Sequence, residues 1–145
     1  MSTEITKTEV KNCLEELLKI ERYAIRKKIG LFQLGPDIKA SKDYESWYIE
    51  AIGSEGSRLE MVNDFYAVFF RAVSRLNNKD CHHCIIAVPE NLSKFLYIRA
   101  RIYRVAWERI AKNFPELEIW TIDVKSKTYQ RTSLTYWLTR IEKND

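Results

Sequence analysis

The chain has 145 residues, of which 46% are hydrophobic and 30% are charged, and its formal net charge is +4 at pH 7. This length and composition predict a single globular domain over residues 1–145 and argue against a disordered or disulfide-stapled protein. The sequence has no apolar run long enough to span a bilayer and no signal-peptide core, so we expect a cytoplasmic protein without a membrane partner.

The first third of the chain predicts a helix followed by a β-hairpin. Apolar residues recur at three- and four-residue steps over residues 6–28, which is typical of an amphipathic helix, and Gly30 then breaks the pattern. Residues 37–40 and 46–52 have the composition of strands. The polar segment between them fits a hairpin connection.

The remainder predicts helices alternating with strands. Ser57, with Glu60 three residues later, has the spacing of a capping box at the start of a long helix that is apolar over most of its circumference and should therefore be largely buried. Residues 84–88 predict a strand covered on both faces, residues 93–113 predict a helix, and residues 117–123 predict a further strand. The tail combines an extended-looking segment, KTYQRT, with apolar residues at helical spacing.

This order of elements predicts an α/β fold in which helices cover a sheet with parallel strand pairs. The hairpin carries Asp37 on one strand and Glu50 on the other. If these residues lie opposite one another, their side chains project from the same face, and two bare carboxylates at that separation repel. A divalent cation relieves the repulsion, and oxygen ligands of this kind suit Mg²⁺.

The sequence PD at 36–37, followed by E-A-x-G at 50–53, resembles the PD-(D/E)XK nuclease superfamily. The layout over residues 6–125 is also similar, with an initial helix, an acid-bearing hairpin, a helix after the third motif position and then a strand. The resemblance implies a restriction-endonuclease-like fold, a mixed β-sheet flanked by helices. It implies metal-dependent hydrolysis of DNA phosphodiesters, with Mg²⁺ or Mn²⁺ as the cofactor of an active enzyme.

By the resemblance, Asp37 and Glu50 would be catalytic metal ligands, joined by the backbone carbonyl of Ala51 or Ile52. In this superfamily the first helix sometimes adds a carboxylate, for which the choices here are Glu15, Glu16 and Glu21. The resemblance also implies nucleic acid as the partner, DNA rather than RNA, and a small domain of this kind often acts as a homodimer.

The departure from the family pattern is Ile52, which stands where the superfamily has a lysine. Isoleucine can neither orient the attacking water nor neutralise developing charge. Either a cation comes from elsewhere, with Lys39, Arg58 and Arg71 as candidates, or the site is degenerate. A degenerate site would leave a catalytically inactive nuclease-fold module that binds nucleic acid or a protein partner.

Two further features have candidate roles. Arg101 and Arg104 belong to a basic helical stripe that could contact phosphates, or could simply be the solvated side of an amphipathic helix. The stretch CHHC at 81–84 has cysteine and histidine, which are zinc ligands, but there is no second Cys/His pair in the sequence, so a loop-to-strand junction is favoured. Three cysteines without a secretory signal fit a reducing compartment.

Overall fold

A computed structural model describes residues 4–27 and 35–139 of the chain. In this part of the chain the main elements are α1 Lys7–Ile20, β1 Ala24–Lys27, β2 Ile38–Lys42, β3 Glu45–Ala51, α2 Arg58–Ser74, β4 His83–Pro89, α3 Ser93–Ile102, α4 Arg104–Asn113, β5 Leu117–Asp123, β6 Thr128–Ser133 and α5 Tyr136–Thr139. Short 3₁₀ turns follow α2 and β4, at Arg75–Asn77 and Glu90–Leu92.

The strands form one mixed sheet in sequence order from β1 to β6. The first three strands are antiparallel, β3, β4 and β5 run parallel to one another, and β6 returns antiparallel. Parallel neighbours need a crossover, and α2 provides one while α3 and α4 provide the next. The predicted α/β class, with parallel pairs and flanking helices, is confirmed.

The two faces of the sheet carry separate hydrophobic cores because side chains alternate along each strand. On one face, α1 packs against a cluster that includes Ile49 and Trp120. On the other face, α2 and the later helices cover a cluster that includes Phe65 and Ile86. Strand β4 is therefore buried on both faces, as its continuous apolar sequence predicts.

The predicted hairpin is confirmed, and its turn has the geometry that tight hairpins require. Asp43 and Tyr44 both have positive φ angles, of 53° and 68°. Two consecutive residues in this region match the right-handed twist of the flanking strands. The turn thereby fixes the register of the strands that carry the two acids.

The first helix ends earlier than predicted. It stops at Ile20, and Arg22 adopts a φ of 72° that reverses the chain into β1 at Ala24–Lys27. Residues 24–27, which lie within the predicted helix, instead pair with β2, because the hydrogen bonds of a sheet edge outweigh local helix propensity. Lys28 and Gly30 lie outside the described residues.

The helix predicted over residues 93–113 is two helices. Tyr103, with φ −109° and ψ 42°, separates α3 from α4. The break changes the direction of the helix axis, and in α4 Trp107 is buried. The indole nitrogen of Trp107 donates a hydrogen bond to the Leu134 carbonyl at 2.8 Å. A straight helix would have matched the apolar periodicity of residues 93–113, but it would not have made this long-range contact.

Helix α2 begins with the predicted capping box, in which Ser57 and Glu60 exchange hydrogen bonds. It is less buried than predicted, since Leu59 and Phe70 are 70% and 78% exposed. The tail, whose sequence combined extended and helical features, forms the strand β6 followed by the short helix α5. None of the helices in the described part of the chain is both long and apolar enough to cross a membrane.

Candidate functional site

The two acids of the hairpin lie opposite one another on the sheet. Lys39 pairs with Tyr48 in the register of β2 and β3, and the same register continued by two residues places Asp37 across from Glu50. Glu50 contacts Arg71 of α2, whereas Asp37 contacts Lys7 at the start of α1, and the negative charge of Asp37 acts on Glu50. Both residues are buried, with exposed fractions of 3% and 2%, at the end of the hairpin away from its turn.

Asp37 is held by one backbone amide and one lysine. The Ala51 amide donates to Oδ2 at 3.0 Å, and Nζ of Lys7 lies 3.1 Å from the same oxygen. Burial alone would raise the pKa of Asp37, but the Ala51 hydrogen bond and the Lys7 charge outweigh it and lower the pKa. The position predicted to supply a metal-binding carbonyl, Ala51, thus contacts Asp37 through its amide.

Glu50 is held by two arginines. Nε of Arg75 lies 2.8 Å from Oε2, and Nε of Arg71 lies 3.6 Å from Oε1. Burial raises the pKa of Glu50, and the negative charge of Asp37 raises it further, whereas the two arginines oppose the shift. The opposite pKa directions follow from their surroundings, because the Ala51 amide and Lys7 outweigh burial at Asp37, whereas burial and the charge of Asp37 outweigh the two arginines at Glu50.

Lys7 reaches Asp37 because the start of α1 is docked onto the loop after β3. The Ser54 amide donates to the Ile5 carbonyl at 2.7 Å, and the Ile5 amide donates to the Ser54 hydroxyl at 3.0 Å. Gly53 permits this approach, since a Cβ atom there would lie 2.5 Å from the Ile5 carbonyl oxygen. The E-A-x-G glycine therefore positions a cation beside the acids.

Ile52 lies in the hydrophobic core. It is 5% exposed and belongs to the cluster beneath α2 that also contains Phe65 and Val88. Its amide donates to the Ala87 carbonyl of β4 at 3.1 Å. The residue that the sequence resemblance aligns with the superfamily's lysine is thus a core side chain.

Of the three cations proposed to replace the lysine, one contacts the acids. That residue is Arg71. Lys39 instead donates to Asp80 at 2.5 Å and lies over the Tyr48 ring, 5.2 Å from its centroid. Arg58 is the exposed first residue of α2. The closest cation to each acid, Lys7 to Asp37 and Arg75 to Glu50, was missed by sequence reasoning.

A signal for one of these two residues was present in the sequence. Arg75 stands four residues after Arg71, the spacing that places two side chains on one helix face. Lys7 carried no such signal, because only the docking of α1 onto the loop after β3 brings it to Asp37. Because Lys7 and Asp37 are far apart in the sequence, no local sequence pattern indicates that they pair.

The acids of the first helix are engaged elsewhere. Glu15 forms an ion pair with Lys19 at 2.8 Å, and Glu21 accepts a hydrogen bond from the Tyr129 hydroxyl at 2.6 Å. Glu16 lies 3.9 Å from the ammonium group of Lys127. The helix therefore brings a lysine, rather than a third carboxylate, to the two hairpin acids.

The basic residues predicted on the later helix remain at the surface. Arg101 is exposed near the end of α3, and Arg104 is exposed at the start of α4. Nε of Arg104 forms an ion pair with Glu108 at 2.9 Å. A groove of about 350 Å³ elsewhere on these helices is lined by Tyr66, Phe69, Tyr103, Ala106, Trp107 and Ile110, and neither arginine lines it.

The residues around the two acids do not fit a divalent cation as they are arranged. Both carboxylates already contact protein cations, and together with them form what we call the acid–cation cluster, composed of Lys7, Asp37, Glu50, Arg71 and Arg75. Within residues 4–27 and 35–139, no group of three or more Asp, Glu, His or Cys side chains is arranged to hold a metal ion. Mg²⁺ binds through carboxylate oxygens, and three of the four oxygens here, Oδ2 of Asp37 and both of Glu50, contact a protein cation instead.

Comparison with protein families, with curated proteins and with solved structures finds no match to this chain. The geometry of the acid–cation cluster is therefore the basis for a functional proposal.

Proposed function

We propose that this chain is a restriction-endonuclease-like domain of the PD-(D/E)XK type that binds the DNA backbone without cleaving it. The support for the fold is the order of its elements. An initial helix is followed by an antiparallel hairpin bearing Asp37 and Glu50, then by the capped helix α2 and the strand β4 parallel to β3. This is the layout that the sequence resemblance implies.

The observation that carries the proposal is the charge balance of the acid–cation cluster. Three cations surround two carboxylates, which leaves one net positive charge where the superfamily has acids and a metal. Such a cluster repels a divalent cation and attracts a phosphate group. The core location of Ile52 removes the remaining motif residue from the chemistry.

Two members of the cluster are placed to meet a ligand. The side chains of Lys7 and Arg71 are 43% and 40% exposed, whereas that of Arg75 is 20% exposed. Lys7 and Arg71 therefore present positive charge to the solvent while their acidic partners are buried. Contacts from such residues to phosphates would be independent of base sequence and would weaken with added salt.

Binding of a fluorescent DNA duplex, measured by anisotropy at several salt concentrations, tests the proposal. Lys7→Gln and Arg71→Gln should each weaken binding and reduce the slope of log K against log salt by about 1. Lys19→Gln is the matched control, because this lysine lies on the same helix about 18 Å from Lys7 and is also ion-paired to a carboxylate. The same measurement with a DNA duplex, a DNA single strand and an RNA of equal length compares the affinities for the three nucleic acids.

Binding that is absent, or equally affected by all three substitutions, would contradict the proposal. Incubation of the same DNA with Mg²⁺ or Mn²⁺ should give no cleavage. Sedimentation of the same samples tests the homodimer that the resemblance implies.

Phosphodiester hydrolysis is the second candidate, and the position of Lys7 favours it. Its ammonium group lies beside Asp37 in the same site from which the motif lysine is missing. Cleavage that requires Mg²⁺ or Mn²⁺ and is lost in both Lys7→Gln and Asp37→Asn would establish this function in place of the first. Cleavage that survives both substitutions would come from a contaminant.

A further inference from the structure

We propose that Cys81 and Cys84 form a redox-active dithiol, which closes reversibly to an intramolecular disulfide. Their sulfur atoms lie 3.6 Å apart, within contact distance. Cys84 is fully buried in β4, and Cys81 lies in the loop just before that strand with 7% of its surface exposed. This modification site is independent of the proposed DNA-binding function.

The backbone around the two cysteines holds the sulfurs near one another. The Cys81 amide donates to the Asn78 carbonyl at 3.1 Å, and the Cys84 amide donates to the Glu116 carbonyl at 3.0 Å. Between them, the His82 amide donates to the Ser46 carbonyl at 3.3 Å. A disulfide needs a sulfur–sulfur distance of about 2.05 Å, so closure requires a displacement of about 1.5 Å shared between the two side chains.

The two histidines between the cysteines are already engaged elsewhere. Nδ1 of His82 accepts a hydrogen bond from the Ser46 amide at 2.9 Å. The His83 ring stacks on Trp47 with a centroid separation of 4.8 Å. A disulfide needs neither histidine and uses only the two sulfurs that already touch.

The two thiols have different roles in the reaction. The hydrogen bond from Cys84 lowers the pKa of Cys81, while the same interaction and burial raise the pKa of Cys84. Cys81 is therefore the thiolate that attacks an oxidant, and Cys84 is the thiol that resolves the product. Burial and the negative charges of Asp80 and Glu116 oppose this lowering of the Cys81 pKa, and the positive charge of Arg75 assists it.

Hydrogen peroxide is an oxidant that balances the reaction. The Cys81 thiolate attacks one peroxide oxygen, the O–O bond breaks, and Cys81 becomes a sulfenic acid with release of hydroxide. The Cys84 sulfur then attacks the Cys81 sulfur, the S–OH bond breaks, and the thiol proton leaves with the hydroxyl group as water. Two electrons pass from the sulfurs to peroxide, and an external dithiol returns them by exchange.

The experiment counts free thiols after the folded chain is treated with one equivalent of hydrogen peroxide. The protein is then denatured, alkylated and weighed intact by mass spectrometry. The wild type has three free cysteines, and we expect three alkyl groups before oxidation and one afterwards. A dithiol reductant added before denaturation should restore all three.

Cys13 provides the matched control, because it is also buried but lies in the core on the opposite face of the sheet. Cys13→Ser should lose both of its remaining thiols on oxidation, whereas Cys81→Ser and Cys84→Ser should form no intramolecular disulfide. Peptide mapping of the wild type should find a bond between Cys81 and Cys84. Retention of all thiols by both the wild type and Cys13→Ser, or a bond that includes Cys13, would overturn the proposal.

Discussion

The ammonium group of Lys7 lies 3.1 Å from Oδ2 of Asp37, and the Ala51 amide donates to that same oxygen. One carboxylate thus connects the start of the first helix to the end of the third strand. This relationship makes Asp37 a structural residue as well as a candidate ligand-binding residue. It also predicts how the stability of the fold should depend on pH.

Asp37→Asn should lower the free energy of unfolding by about 1 kcal/mol at pH 7, because hydrogen bonds and ion pairs to a carboxylate are stronger than those to an amide. Asparagine can still accept the Ala51 hydrogen bond through its side-chain oxygen, so the fold should persist. The folded-state pKa of Asp37 is lowered, so its stabilisation is present above the unfolded pKa and is lost as pH falls through the folded one.

Urea unfolding of the wild type and Asp37→Asn between pH 7 and pH 3 measures this effect. The difference in unfolding free energy should be largest at neutral pH and shrink as the solution becomes acidic. A difference that stays constant over this range would show that the charge on Asp37 does not stabilise the fold.

Arg75→Gln should destabilise the protein by about 3 kcal/mol at pH 7, near the lower end of the range for breaking a buried pair, since Arg71 remains beside Glu50. Without Arg75, the folded-state pKa of Glu50 rises further above its unfolded value. The variant's deficit should therefore shrink as pH falls and Glu50 becomes protonated.

The double variant Glu50→Gln/Arg75→Gln is the control for this pair. It should be more stable at pH 7 than Arg75→Gln alone, because no carboxylate is left buried without its closest cation. Equal stabilities of the single and double variants, measured by urea unfolding, would show that the pair is not coupled.

Gly53→Ala should both destabilise the fold and weaken DNA binding. The added Cβ would lie 2.5 Å from the Ile5 carbonyl oxygen and 2.6 Å from the Lys7 amide nitrogen, so the start of α1 would have to move away. We expect a loss of about 1–3 kcal/mol in urea unfolding, as for other overpacked sites. That movement would carry Lys7 away from Asp37.

Gly35→Ala is a comparison without this steric contact, since a Cβ there would meet nothing within 4 Å, although its φ of 125° adds backbone strain. Only Gly53→Ala should reduce the salt dependence of DNA binding. If both variants bind DNA like the wild type, then the docking of α1 does not position the binding cation.

The sequence predicted the hairpin and its two acids because their signals are local. Asp37 and Glu50 are brought together by a two-residue turn and by strand alternation, and both can be read from a short segment. Ser57 and Glu60 likewise fix the start of α2 within one turn. These are the parts of the fold in which local propensity and tertiary structure agree.

The remaining features depend on contacts that a local pattern does not contain. The residues of β1 become a strand through pairing with β2, and Tyr103 breaks the predicted helix where the chain turns toward the buried Trp107. Lys7 reaches Asp37 from 30 positions earlier in the chain, through the docking of α1. The ionic partners of the candidate site were therefore the least predictable part of it.

Ile52→Lys introduces the lysine that the resemblance to the superfamily would place at this position, and tests whether the two acids then support cleavage. Ile52 is 5% exposed in the core, so a lysine there must bury its charge or move its side chain toward Glu50, two residues earlier on the same strand face. The acid–cation cluster already has three positive charges, and a fourth adds repulsion rather than a metal site. We expect a loss of several kcal/mol in urea unfolding and no DNA cleavage with Mg²⁺ or Mn²⁺.

Ile52→Leu is the matched control, because a similar apolar volume at this position should cost less than about 1.5 kcal/mol. The Lys7→Gln/Ile52→Lys double variant then exchanges the helix cation for the strand cation. Cleavage by this double variant, when neither the wild type nor Ile52→Lys cleaves, would show that Lys7 prevents a lysine at position 52 from acting with the two acids. Cleavage by Ile52→Lys alone would show instead that the two acids can hold a metal despite their present partners. That result would contradict the charge-balance argument for a non-catalytic site.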